Sequence, residues 1–517
     1  VQNSLIYNKI FEQSAWLISG ILYGLGYILL PHLWLFWLVW FAFVPILLQL
    51  KNLSFKRWFL SIFLMNSVAL SISLIPLFKT TWLLYVATAF SQAIFLMTPW
   101  LILWWFRQIS WGMFVLPFLW ISNEWLLTFF PLSIPTILGV TQIENTPFIQ
   151  YYDLTGVFGG SFWVVLLNVL LANLILKGFQ YRKLLYIILS MFLPPLFYGI
   201  WIFHLSETHL PTTKVGIIQT GLKPTRDLKY LYNLIFLSDK LLQNNQQVDL
   251  IIFPETAVGW DFWGKDYAQE RQLLFDWISN TRIPVIFGAF EHKVKMFNIA
   301  MLITPEFADY ALNQPLETVL PIKIYKKQHL FPFIEQVPFS DYFPWLSDLL
   351  IKENDVISIN LSSGDHFTVF SFSNHQQNVS QIGTLLCYEA LFPEISAHLT
   401  KIGAQSLAIL TNDDSETLTE FSYYLLASHA RVRAIETRRD IARVSTTGFS
   451  LVTNRFGEIE KISQPFQEDI FAHNLTLSNE LSFYVKYPYL FPLFCVVVSF
   501  IGLMSLLKCP IRKTTSY

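Results

Sequence analysis

Charge is scarce in this chain: only 14% of its 517 residues are Asp, Glu, Lys or Arg, against about 25% in an ordinary soluble protein. Hydrophobic residues make up 53% and the mean hydropathy is +0.44, so much of the chain needs lipid rather than water around it. A net charge of −1 gives no electrostatic reason to expect nucleic acid as a partner. Cysteine is nearly absent, with Cys387, Cys495 and Cys509 alone. No CxxC pair exists, which excludes a zinc knuckle or a thioredoxin-type site. HExxH, a Walker loop and a GxGxxG following a strand are also missing.

What is present is apolar length. Eight stretches, near 13–30, 33–50, 58–78, 81–105, 109–129, 160–177, 184–204 and 486–507, approach the roughly 20 residues that cross a bilayer. The first lacks a small-residue cleavage site and is read as a span rather than a signal peptide. Eight spans with a cytoplasmic N-terminus put Lys51, Lys56, Arg57, Arg107, Lys177, Arg182, Lys183, Lys508, Arg512 and Lys513 on one side, and Lys79 alone in the short loops of the other. The positive-inside rule selects that orientation. It leaves 205–485 outside the cytoplasm, between an N-terminal bundle over 1–204 and a last helix with a basic tail over 486–517. Eighteen Trp and 47 Phe suit a chain with interfacial aromatics.

The segment 205–485 has ordinary charge and short apolar runs that end in polar residues: Val215–Gln219, Leu250–Glu255, Pro284–Ala289, Gly383–Glu389, Ser406–Asp413 and Ser450–Asn454. Helix-like stretches lie between some of them, over Asp227–Asn244, Tyr267–Asn280 and Glu420–Thr437. That alternation predicts a layered α/β architecture.

Three of its residues carry candidate chemistry. Cys387, in Gly383-Thr-Leu-Leu-Cys-Tyr-Glu389, is the only cysteine of the segment. An unpaired thiol outside the cytoplasm is either a reactive group or a small buried hydrophobe. Glu255 ends the run Leu250-Ile-Ile-Phe-Pro-Glu255, at a strand end where α/β sites form. A nucleophilic thiol needs such a base; a solvated loop glutamate is the plainer alternative. Lys326 and Lys327 are adjacent, so on an extended segment only one can face a given site. A fixed cation there would stabilise a thiolate and an oxyanion. His329 reads as a structural hydrogen-bonding group, since no second metal ligand has helpful spacing.

Together these pieces resemble the nitrilase superfamily, whose members carry a Glu–Lys–Cys triad on an α-β-β-α sandwich. The family's Tyr-x-Lys-x-His-Leu pattern falls on Tyr325-Lys-Lys-Gln-His-Leu330 and selects Lys327. The whole chain looks like the membrane-embedded branch of that superfamily, the apolipoprotein N-acyltransferases. Supporting stretches include Trp40-Phe-Ala-Phe-Val-Pro-Ile46, Asn123-Glu-Trp125, Tyr152-Asp-Leu-Thr-Gly156 with Asn168, and His329–Pro338. They continue with Cys387-Tyr-Glu389, Leu410-Thr-Asn-Asp413, and Ala430–Glu436 running into Thr447-Gly448.

The resemblance implies a membrane protein of about eight transmembrane helices plus a nitrilase-like sandwich, in the bacterial inner membrane with the catalytic domain on the periplasmic side. It implies that Cys387 takes an acyl chain from a phospholipid, such as phosphatidylethanolamine, as a thioester. The chain then passes to the α-amino group of an S-diacylglyceryl cysteine on an apolipoprotein. Glu255 would be the base, Lys327 the oxyanion partner and Glu335 a supporting carboxylate, with Tyr388 and Glu389 also at positions that matter to activity. No metal or dissociable cofactor is implied.

The chain departs from the family at Ile334, which stands for a glycine, at Asp414-Ser-Glu-Thr417, which replaces a Trp-Phe-Gly loop, and after Trp125, where Leu126–Ser133 lacks an arginine and a Gly-Phe-Pro-Trp turn. These departures leave open a different amine acceptor. A membrane-anchored carbon–nitrogen hydrolase and a transporter or scaffold with an inactive nitrilase-like domain are the competing readings. Phe331, Phe333, Phe339, Tyr342, Phe343 and Trp345 form an aromatic-rich stretch, an arm over a lipid entrance or packing beneath the sandwich. Glu124 falls inside a predicted span, where an ionisable residue is expensive, and is read as structural or substrate-positioning.

Overall fold

The computed structural model describes residues 2–28, 34–74, 82–130, 134–178, 182–204, 210–225, 227–244, 247–258, 261–292, 294–314, 322–332, 334–339, 342–343, 345, 361–413 and 420–508. Two compact units divide the chain, one of residues 1–204 with 487–517 and one of residues 205–486.

The first unit is helical. Among the described residues, two helices are long and apolar enough to cross a membrane, Val157–Lys177 and Arg182–His204. Shorter apolar segments accompany them, over 14–26, 35–48, 89–105 and 490–506. The stretch read as one span over 33–50 is not one helix. It is a 3-10 segment Leu35–Trp40 followed by a short helix Val44–Leu48. Hydropathy does not register the break, but Pro45 does: it sits at the start of the second piece, where its missing N–H costs nothing. The stretch 81–105 is likewise two helices, Trp82–Phe95 and Thr98–Trp105, with Pro99 opening the second. Asn168 ties the broken segment down. Its Nδ2 donates to Val39 O and Val164 O, and its Oδ1 accepts from Phe43 N at 2.8 Å. Backbone groups freed by a broken helix must find such partners in an apolar setting.

Among the described residues, the second unit is a sandwich of two six-stranded sheets. One contains β1 (Thr212–Gln219), β2 (Leu250–Ile252), β3 (Val285–His292), β4 (Met296–Ile303), β5 (Ile324–Lys326) and, beside β1, β12 (Asp469–Thr476). The other runs β6 (Val369–Ser373), β7 (Val379–Leu386), β8 (Ser406–Thr411), β9 (Ile441–Ser445), β10 (Leu451–Thr453) and β11 (Ile459–Ile462). The central strands β1, β2 and β3 are parallel, as are β7, β8 and β9, and parallel strands need both faces covered.

Period-two alternation supplies the two faces. Val215 and Ile217 of β1 point into the inter-sheet core with Ile252, Ile286, Leu386, Leu410 and Val444. Ile218 points the other way, into a second core built with Leu234, Leu241, Leu274 and Ile278 from the helices Leu228–Gln243 and Ala268–Thr281. On the far side the helices Pro393–Lys401 and Glu420–Thr437 pack on the second sheet. The four layers are therefore α-β-β-α. The C-terminal ends of β7, β8 and β9 lead directly into Cys387, Asn412 and Thr446, and that of β2 leads within three residues to Glu255, which sets up the site.

Candidate active site

Glu255 lies three residues past the end of β2, almost completely buried. Its turn passes over β3 at Gly288. A Cβ on that glycine would stand 2.7 Å from Glu255 Cα and 2.8 Å from Thr256 N, so only glycine lets the segment come this close. Three donors fix the carboxylate. Lys327 Nζ and Asn298 Nδ2 donate to Oε1 at 3.0 and 2.7 Å, and the backbone N–H of Asn412 donates to Oε2 at 3.0 Å.

Lys327 follows β5, and its backbone N–H still bonds Asn298 O across to β4. It shares the inward side with Tyr325, two residues back, which is fully buried in the inter-sheet core. Lys326 faces the other way, pairs with Glu291 at 2.8 Å and sits over the ring of Phe297. Lys327 Nζ holds two carboxylates at once, Glu255 at 3.0 Å and Glu335 at 2.9 Å. Burial pulls an ammonium's pKa down, but Glu255, Glu335 and the nearby Cys387 sulfur outweigh it, and Lys327 is held well above its ordinary range. It is a permanent cation. Glu335 is itself anchored by Asn298 Nδ2 at 3.0 Å and by Phe331 N at 2.8 Å.

Cys387 stands at the sharp turn where β7 gives way to a 3-10 turn, Cys387–Leu391, with φ of 49°. A left-handed conformation at a non-glycine residue costs about 1–2 kcal/mol, and the surrounding bonds keep it there. Glu389 Oε2 accepts from Leu386 N at 2.8 Å, while its Oε1 accepts from Tyr325 Oη and Gln328 N, both at 2.7 Å. One carboxylate thus locks the Cys387 turn to the strand that leads into Lys327. Burial raises the Glu389 pKa to about 7 against these hydrogen bonds. The Cys387 residue is partly open, flanked by buried neighbours. Burial first, and then the charge of Glu255, push its thiol well above the ordinary range, with Lys327 opposing them. The resting sulfur is a thiol that must lose its proton to react.

Tyr388 is buried, its ring 4.6 Å from Phe331 and 5.1 Å from Phe392. His329 packs 4.1 Å from Phe392, and burial lowers its pKa to about 4, so it is neutral. Farther along the aromatic stretch, Tyr342 is 80% exposed, and Phe343 and Trp345 are also open; these rings are not packed beneath the sandwich. Phe333 and the Asp414–Thr417 departure lie outside the described residues.

The structure therefore brings Glu255, Lys327, Glu335 and Cys387 together, with Tyr388 and Glu389 lining the same turn. Sequence reasoning missed Asn298, which binds both carboxylates, and the backbone of Asn412. For Asn298 a signal existed: it is an amide in the otherwise apolar strand Met296–Ile303. Such an arrangement can deprotonate a thiol at Glu255 and hold negative charge at Lys327, which is the chemistry of acyl transfer through a thioester.

A model of the carbon-nitrogen hydrolase family matches residues 214–480, a region that includes every residue just described. The chain belongs to the carbon–nitrogen hydrolase family. A second model, the apolipoprotein N-acyltransferase N-terminal domain, matches residues 19–170 and sets this family member in the apolipoprotein N-acyltransferase branch. The apolipoprotein N-acyltransferase of Chlorobaculum tepidum is 28% identical over 531 residues, covering 96% of each chain. That of Geobacter metallireducens is 27% identical over 398 residues, covering 74% of this chain and 71% of its own. Among solved structures, Nit3 of Saccharomyces cerevisiae, a member of branch 10 of the nitrilase superfamily, aligns with 59% of this chain and 97% of its own at 14% identity and a TM-score of 0.37, too loosely to bear on function.

Proposed function

We propose that the protein is a membrane N-acyltransferase that moves an acyl chain from a phospholipid to the α-amino group of the N-terminal S-diacylglyceryl cysteine of apolipoproteins. The observation that carries this reading is the buried Glu255–Lys327–Glu335 cluster beside the strained turn of Cys387, in a chain whose N-terminal part matches the acyltransferase branch.

In the first step Glu255 takes the Cys387 proton as sulfur attacks the ester carbonyl of the phospholipid. The oxyanion that forms draws on the Lys327 ammonium, a buried cation worth far more there than in water. Collapse breaks the carbon–oxygen bond, and the lysophospholipid leaves with the proton returned by Glu255. In the second step the neutral amine of the acceptor attacks the thioester, Glu255 accepts its proton and returns it to the departing Cys387 sulfur, and the enzyme is left with a free thiol and an unprotonated base. Glu335 keeps Lys327 in place between the two carboxylates. Phosphatidylethanolamine suits the donor role as an abundant membrane phospholipid. Eight spans, with residues 205–485 on the periplasmic side, fit the distribution of basic loops and put donor and acceptor lipids beside the site. The exposed Tyr342, Phe343 and Trp345 suit the headgroup level of such a membrane.

The test is reconstitution in phosphatidylethanolamine vesicles with a synthetic S-diacylglyceryl-cysteine peptide. The reading predicts a peptide gaining one acyl chain on nitrogen and one lysophospholipid per turnover. Free fatty acid with an unmodified peptide would replace it with a hydrolase. No reaction at all in folded protein would favour a scaffold.

A further inference from the structure

Asp413, two residues past the end of β8, is almost fully buried and does not belong to the cluster around Lys327. Its Oδ2 accepts from Arg443 Nη2 at 2.6 Å and from Ser445 Oγ at 2.8 Å, and its Oδ1 accepts from Thr411 Oγ1 at 2.8 Å. Arg443 lies on β9 and is itself buried. Its Nη1 donates to Phe449 O and its Nη2 also to Thr411 Oγ1. The loop after β9 closes on the same group. Gly448 N donates to Ser445 Oγ at 2.8 Å, and a Cβ on Gly448 would stand 2.1 Å from Asp413 Oδ2. Thr446 Oγ1 donates to Asn412 Oδ1 at 3.1 Å, and Thr446 N to Thr411 O.

Everything in this clamp converges on one peptide unit. Asn412 sits between Thr411 and Asp413, both held, and its own side chain is held by Thr446. Its backbone N–H is the donor to Glu255 Oε2. Glu255 Oε1 already carries Lys327 and Asn298, so Oε2 is the oxygen left to receive a proton. The direction of the Asn412 N–H decides which lone pair of Oε2 remains free.

We infer that Asp413 is a positioning residue for the catalytic base: through its pairing with Arg443 and Ser445 it orients the Asn412 peptide, which aims Glu255 Oε2 at the Cys387 thiol. Asp413 touches neither substrate nor sulfur in this role. The inference rests on the proposed part of Glu255 as base.

Losing the Asn412 bond lets Oε2 turn away from the thiol, so the cost falls on proton transfer to Glu255 and is absent where Glu255 is already lost. The other charges facing Glu255 and Cys387, namely Lys327 and Glu335, stay in place. Asp413 itself adds to the high pKa of the Cys387 thiol, so removing its charge alone would ease loss of that proton rather than hinder it.

The experiment measures the single-turnover rate of label transfer from phosphatidylethanolamine to the full-length protein in vesicles. Wild type, Asp413→Asn and Thr446→Val are compared, each also in a Glu255→Gln background. Asp413→Asn is expected to slow acylation by about 10- to 100-fold, the usual result of misplacing a catalytic group by an ångström, with the phospholipid concentration for half-maximal rate unchanged, and to add no further loss in the Glu255→Gln background. Thr446→Val, which removes one bond from Asn412 and leaves the buried ion pair intact, should act the same way by less. If Asp413→Asn does not fold, Thr446→Val decides. A wild-type rate, or a loss that multiplies with that of Glu255→Gln, in the folded variants would overturn the inference. Failure of wild type to take up label would instead refute the Cys387 reading on which it rests.

Discussion

Two buried carboxylates, one in each unit, meet opposite treatment. Glu124, in the helix Leu116–Thr128, accepts from Trp120 Nε1 at 2.7 Å and from Leu138 N at 2.9 Å. Both donors are neutral, and both join Glu124 to its own helix and to the segment that follows it. Glu255 accepts from Asn298, Asn412 and the ammonium of Lys327. A buried anion without a cation is costly, and an opposite charge beside it offsets part of that cost. The difference separates a carboxylate that ties neighbouring segments together from one held in a charged cluster beside a thiol.

The comparison breaks first at the proposed nucleophile. Cys387→Ser should lose acylation by about four orders of magnitude or more, because a serine hydroxyl needs a stronger base than a single carboxylate; single-turnover labelling measures it, and near-normal turnover would refute the assignment. Glu255→Gln keeps the shape and removes the proposed base, and should cost roughly 10²- to 10⁴-fold in acylation rate. Lys327→Met should lose about 10²- to 10³-fold, whereas Lys326→Met, on the opposite face, should leave the acylation rate within roughly threefold and cost stability instead, since it removes the ion pair to the buried Glu291. The reverse order for the two lysines would place the wrong one in the site.

Smaller effects sharpen the comparison through stability. The folded-state pKa of Glu389, about 7, lies above its ordinary 4.5, so the folded protein binds this proton more tightly than the unfolded chain. That contribution is fully present below pH 4.5 and is lost as pH rises through 7, on the order of 3 kcal/mol in all. Glu394, also raised to about 7 by burial, acts in the same window. Buried His329 and His429, held down to about 4 and about 3, work the other way and gain stability as pH rises to about 6.5, so the readout is a difference: from pH 4.5 to 8.5 the melting temperature of wild type should fall with rising pH relative to that of Glu389→Gln, whatever that change does to absolute stability. Glu124→Gln should lower the melting temperature modestly, for about 1 kcal/mol of lost hydrogen bonding, and leave the single-turnover acylation rate within roughly twofold.

Much of the sandwich was legible in the sequence because its parallel core strands are short apolar runs ending in polar residues. The runs at Leu250, Gly383 and Ser406 correspond to β2, β7 and β8, whose ends lead into Glu255, Cys387 and Asn412. The edge strands were not legible. β12 alternates only loosely, and its partner β1 lies some 250 residues away in the chain, a distance that local pattern does not reach. Lys327 and Glu335 came from a motif, while Tyr325 two residues earlier gives the physical reason for the register. Asn412 and the Asp413–Arg443 pair escaped because their meaning arises only when β8, β9 and the turn after β2 converge. In the helical unit, hydropathy registered apolar length but not the breaks at Pro45 and Pro99.

The central claim is that a cation-held carboxylate at Glu255 drives acylation of Cys387. Intact-protein mass spectrometry after mixing with phosphatidylethanolamine, without acceptor, tests it most directly. Wild type should gain one hydroxylamine-labile acyl chain on Cys387 and Glu255→Gln should gain it at least 100-fold more slowly, within the range for loss of a general base. Equal rates in the two proteins, or an adduct that persists in Cys387→Ala, would contradict the account.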